Sequence, residues 1–124
     1  MWMTLAQVAL GGAVGASARY LTGLAALRLL GPGFPWGTFV VNVVGSFVMG
    51  ILAVVLVQSG GRFSPLLMTG VLGGFTTFSA FSLDAVTLFE RGQVGLALLY
   101  VGGSVLVSIV ALAAGLFLAR GVVA

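Results

Sequence analysis

Four stretches of this chain, about residues 4–27, 36–58, 64–89 and 94–119, are each near or above the roughly 20 residues that an apolar helix needs to cross a bilayer. Short punctuation separates them. Gly31-Pro32-Gly33-Phe34-Pro35 ends the first, Ser59-Gly60-Gly61-Arg62 with Pro65 closes the second, and Glu90-Arg91-Gly92 divides the third from the fourth. Connections this short predict one compact bundle over 1–124, an all-α membrane domain of four transmembrane helices. Composition agrees, because 124 residues that are 60% hydrophobic and only 6% charged lack the polar surface a soluble domain needs.

Several chemistries are closed to such a chain. Without Cys or His it has no thiol nucleophile, no imidazole base and no ordinary zinc site. No nucleophile and base pair stands out either, so an enzyme is not expected. The net charge of +3 comes from five arginines spread singly, which form no basic patch for nucleic acid. Ala16-Ser17-Ala18 has the look of a cleavage site, but Met1 to Thr4 offers no basic n-region, so the first span is expected to be retained.

The arginines do not choose a side. With the N-terminus inside, Arg62 and Arg120 are inside while Arg28 and Arg91 are outside. Arg19, late in the first span, is roughly offset by the α-amino group. By the positive-inside rule such a tie predicts weak or dual insertion. Dual insertion would supply antiparallel partners for a twofold dimer. Gly11 and Gly15, Ser46 and Gly50, and Gly70 and Gly74 repeat the small-xxx-small spacing that lets membrane helices approach closely.

The third span is unusual at its middle. Gly73-Gly74-Phe75-Thr76-Thr77-Phe78-Ser79-Ala80-Phe81-Ser82 begins with two glycines that can open the backbone, then interleaves hydroxyls with phenylalanines at every third position. A broken helix lining a polar path is the reading this suggests. Thr38, Asn42 and Ser46 share one face of the second span, and Tyr100, Ser104 and Ser108 share one face of the fourth. A single membrane hydroxyl usually bonds back to the preceding turn. The Asn42 amide is harder to absorb in hydrocarbon, and interhelical clamp and pore ligand remain equal readings of it. Phenylalanines at helical spacing are ordinarily packing, although their positive ring edges can also face an anion. No acidic or basic side chain occurs between Val71 and Leu83, which fits a passive pore better than a proton-coupled pump. Asp84, past the break, is placed to pair with an arginine or to support a helix start. Glu90-Arg91 reads as the end of the third span. Arg19 is read first as an anchor of the bundle at the interface, and second as an attractor of anions.

Gly12-Ala13-Val14-Gly15-Ala16-Ser17-Ala18-Arg19-Tyr20, Pro35-Trp36-Gly37-Thr38 with Asn42, and the Gly73–Ser82 stretch together resemble the Fluc (CrcB-type) fluoride channels over essentially the whole chain. The resemblance implies a dual-topology, antiparallel homodimer in the cell (inner) membrane, with two pores that export fluoride passively and relieve fluoride toxicity. By position, Phe78 and Phe81 are similar to the rings whose edges line fluoride sites, Asn42 to an amide donor, and Ser79 to a hydroxyl beside the rings. Thr77, Tyr100, Ser104 and Ser108 fall among the polar residues of the implied route. Gly73 and Thr76 resemble residues whose backbone carbonyls hold a structural sodium ion at the dimer centre. Arg19 is similar to a vestibule arginine, and Glu90 to an acidic residue near a pore mouth. Two positions depart from the family: Ala80 stands where Thr is frequent, and Asp84 where Glu is usual.

A small multidrug transporter also has four spans, but needs an acidic residue in the first, where this chain has only Arg19 and Arg28. A non-transporting scaffold subunit would leave the polar stripes without a purpose.

Overall fold

The computed structural model describes residues 1–123, and over these the chain is helical apart from its turns and one two-residue link. Helix α1 runs Trp2–Leu30 and stops where Gly31 adopts φ 80° and gives its N–H to the Leu27 carbonyl. That left-handed conformation is one glycine reaches without steric cost. Helix α2, Trp36–Gln58, starts directly after Pro35. Pro65 opens a π-helical segment, Pro65–Leu72, at a position where its missing N–H leaves no helical bond unmade. The wide winding shows at its end, where the Gly73 N–H reaches the Met68 carbonyl. A single turn, α3 (Gly73–Phe75), follows, and after the link come α4 (Phe78–Glu90) and α5 (Val94–Val123).

Among the described residues, three runs can cross a membrane by length and composition: Trp36–Gln58, Pro65–Glu90 and Val94–Val123. Helix α1, expected as the first span, is long enough at 29 residues but less apolar, because Gln7, Arg19 and its glycines dilute it. Large apolar side chains cover much of the outer surface, among them Leu10, Val14, Leu98, Ile109 and Phe117. This is the surface of a multi-pass membrane protein.

Helix α1 packs backbone to backbone against the π-segment and α3. A Cβ added at Gly11 would strike the Leu66 carbonyl, one at Gly15 the Val71 carbonyl, and one at Gly74 would lie 2.7 Å from the Gly12 carbonyl. Helices α2 and α5 cross the same way, Gly50 against the Leu112 carbonyl and Gly115 against the Phe47 carbonyl. In lipid, helix association rests on such close packing rather than on hydrophobic burial. Phe81, Leu88, Ala97 and Tyr100 form the buried core between α4 and α5. Tyr100 is fully enclosed: Phe34 meets its ring edge-on at 5.4 Å and 87°, and Phe81 lies against it at 5.2 Å.

Candidate functional site

Between α3 and α4 the chain leaves helical geometry for two residues, Thr76 (φ −85°, ψ 159°) and Thr77 (φ −154°, ψ 123°). In an unbroken helix the Thr77 N–H would close onto the Gly73 carbonyl, and the Ala80 N–H onto the Thr76 carbonyl. Both donors go elsewhere. Thr77 N–H donates to Asn42 Oδ1 at 2.8 Å, and Ala80 N–H donates to Thr77 Oγ1 at 3.2 Å, making Thr77 the N-cap of α4. The carbonyls of Gly73 and Thr76 are thereby released from the helical ladder. Such neutral oxygens are ligands of the kind a hard cation takes.

Three neighbours hold the link in place. Asn42 Nδ2 donates to the Thr77 carbonyl at 3.0 Å, so both ends of the amide are engaged and one Nδ2–H remains for another acceptor. Thr76 Oγ1 bonds back to the Leu72 carbonyl at 2.9 Å, and its methyl faces Gly45, where a Cβ would collide with it. From α1, Arg19 Nε–H donates to the Gly74 carbonyl at 3.0 Å. A cation beside exposed carbonyls at a helix C-terminus is also favoured electrostatically.

Beside the link lies a cavity of about 380 Å³. Asn42, Ser46, Thr76, Thr77, Phe78, Phe81, Ser104 and Ser108 line it together with Gly45, Met49, Val105, Ile109 and Leu112. Six residues singled out from the sequence as pore-lining therefore converge: Asn42, Thr77, Phe78, Phe81, Ser104 and Ser108. Ser104 Oγ is buried without a hydrogen-bond partner, an uncommon state for a hydroxyl in a packed interior. Phe78 and Phe81 lie 5.4 Å apart at 47°, Phe81 buried and Phe78 76% exposed.

Other candidates lie elsewhere. Tyr100 heads the α5 stripe but is enclosed in the core, where its hydroxyl donates to Asp84 Oδ2 at 3.1 Å. Asp84 thus takes a tyrosine, not an arginine, as its hydrogen-bond partner, and it shares a second cavity, of about 370 Å³, with Thr38 and Arg91. Ser79 is exposed, 3.3 Å from Thr77 Oγ1. Glu90 is exposed at the far end of α4 from the link, about 18 Å along the axis, so it is not brought near Arg19. Arg19 is half-buried and lines a third cavity, of about 340 Å³, with Thr38, Thr77 and Ala80.

Ser46, Gly45 and Met49 complete the α2 wall, and Leu112 extends the α5 wall. Their signal in the sequence is the same helical spacing, four, three and seven residues beyond Asn42 and four beyond Ser108. Val105 and Ile109 lie one residue beyond the two serines and carry no polar mark of their own.

The family model described as CrcB-like protein, Camphor Resistance (CrcB), matches residues 6–116. The chain belongs to this family. It is 66% identical over 121 residues to the fluoride-specific ion channel FluC of Cereibacter sphaeroides, covering 98% of both chains. It is 60% identical over 124 residues to the protein of the same name from Ruegeria sp. strain TM1040, again over 98% of both. To that of Agrobacterium fabrum it is 53% identical over 121 residues, 95% of this chain and 97% of the other. The resemblance drawn from the three motifs is thus supported across almost the whole chain. Relatives that are named as ion channels also agree with the expectation of a protein that is not an enzyme.

Proposed function

We propose that this chain forms a fluoride-selective channel through which the ion leaves the cell passively, lowering its toxicity. The observation that carries the proposal is the convergence of one amide, the hydroxyls of α2 and α5 and two phenyl rings on a single cavity beside a non-helical link. Fluoride is specified by the likeness to proteins that bear that name.

A small anion gives up hydration only where donors replace it. The free Nδ2–H of Asn42 and the hydroxyls of Ser46, Ser104 and Ser108 are such donors, and the edges of Phe78 and Phe81 add a weaker positive field. Asn42 first fixes the link and then offers its remaining hydrogen, so clamp and ligand are one residue's two tasks. No lining residue is titratable, so the cavity holds no proton carrier, which supports the reading of passive, downhill transport. Tyr100, Ser79, Arg19 and Glu90 belong to the approaches and supports of this path.

The extended Thr76-Thr77 link is read as a break in the third span. Gly73 and Thr76 would hold a sodium ion through their carbonyls, and their release from the helical ladder fits that role. Bound there, the ion would supply positive charge and tie the break together. The exposed ring of Phe78 and the balanced arginines support an antiparallel homodimer of dual topology in the inner membrane, with a partner covering that ring.

The test is efflux from liposomes carrying the purified protein, followed with a fluoride electrode. Rapid fluoride release with chloride retained is expected. Equal release of chloride would end the selectivity claim, and silence with both anions would end the channel.

A further inference from the structure

We propose that Arg19 sets which cation the link accepts, by withholding the Gly74 carbonyl from the ion's shell. The inference rests on the reading of Gly73 and Thr76 as sodium ligands. Four successive carbonyls, those of Gly73, Gly74, Phe75 and Thr76, come where α3 ends. Those of Gly73 and Thr76 are freed by the diversion of the Thr77 and Ala80 N–H groups, whereas Gly74 accepts from Arg19 Nε at 3.0 Å. Arg19 therefore engages one carbonyl of the stretch that runs between the two read as ligands.

Ligand number and field strength decide between hard cations at carbonyl sites, with fewer and more rigid oxygens favouring the smaller ion. Releasing Gly74 would add an oxygen from each chain and loosen the turn that carries it. The site would then lose its preference for sodium over the larger potassium ion. This role belongs to one N–H rather than to the charge. The Gln Nε2 stands the same number of bonds from Cα as the Arg Nε and donates without charge, whereas the Lys ammonium is charged but one bond further out.

The experiment is thermal unfolding of the purified full-length chain, titrated with sodium or potassium against a large organic cation. The readout is the ratio of potassium to sodium concentration giving half the rise in melting temperature. Arg19→Ala and Arg19→Lys are expected to lower this ratio roughly three- to tenfold, the scale of one hydrogen bond's worth of discrimination, while Arg19→Gln holds it near the unsubstituted value. An unchanged ratio in Arg19→Ala overturns the inference, as does a ratio kept by Lys and lost by Gln. Should Arg19→Ala not fold, the Gln and Lys pair decides alone. A melting temperature indifferent to every cation in the unsubstituted protein would instead remove the sodium site, and this inference with it.

Discussion

Asn42 holds Thr77 at both ends of its backbone, donating from Nδ2 to the carbonyl at 3.0 Å and accepting at Oδ1 from the N–H at 2.8 Å. A residue in extended conformation between two helices has no ladder of its own, so these bonds stand in for one. Asn42→Ala should cost about 2–3 kcal/mol, two net hydrogen bonds plus a backbone group left unpaired. Chemical denaturation in detergent measures this, and efflux should cease. Asn42→Asp keeps the acceptor, so part of that stability should remain while the added negative charge stops the anion. An Asn42→Ala protein of unchanged stability would refute the clamp.

Ser104 separates function from stability. Its hydroxyl is buried with no partner, so Ser104→Ala removes an unsatisfied group and should leave the chain equally stable or up to about 1 kcal/mol more so. Fluoride efflux should nonetheless fall. Unaltered efflux would take Ser104 off the path.

The two rings predict different costs for one functional loss. Phe81→Ile gives up contacts with Tyr100 at 5.2 Å and Phe78 at 5.4 Å, and should destabilise the chain by about 1–2 kcal/mol. Phe78, 76% exposed, should tolerate Ile within about 0.5 kcal/mol for the single chain. Both substitutions should block efflux in the liposome assay. Efflux persisting in either would remove that ring from the mechanism.

The seam between α1 and the π-segment predicts a contrast between neighbouring glycines. At Gly15 a Cβ meets the Val71 carbonyl, which is backbone and cannot rotate aside, whereas at Gly12 it meets nothing within 4 Å. Gly15→Ala should therefore lose about 2 kcal/mol or more, and Gly12→Ala should stay within about 0.5 kcal/mol. Melting temperatures of the two variants, compared side by side, check this. Equal losses would mean the seam is not packed as described.

Much of the site could be read from spacing. Asn42 and Ser46 share a face by helical geometry, as do Ser104 and Ser108, and the two faces meet across the cavity. Tyr100 shows the limit, since the same spacing placed it on the polar stripe. Phe34, from the turn before α2, closes over its ring, and Asp84 takes its hydroxyl. Periodicity within one helix carries no information about a ring arriving from another element. Arg19 is similar: its sequence position left anchor and anion attractor open, and neither reading contained the Gly74 carbonyl it bonds.

The sequence alone determined that the chain is helical and membrane-borne, and that polar groups cluster at one depth, because apolar run length, breakers and helical period are local properties. Which carbonyls stay in the helix and which come free was decided only by the tertiary structure. That outcome depends on where the Thr77 N–H finds its acceptor, and the acceptor is Asn42, on another helix. Glycines and hydroxyls permit an extended link at Thr76-Thr77, and hydrogen bonds from a distant residue hold it.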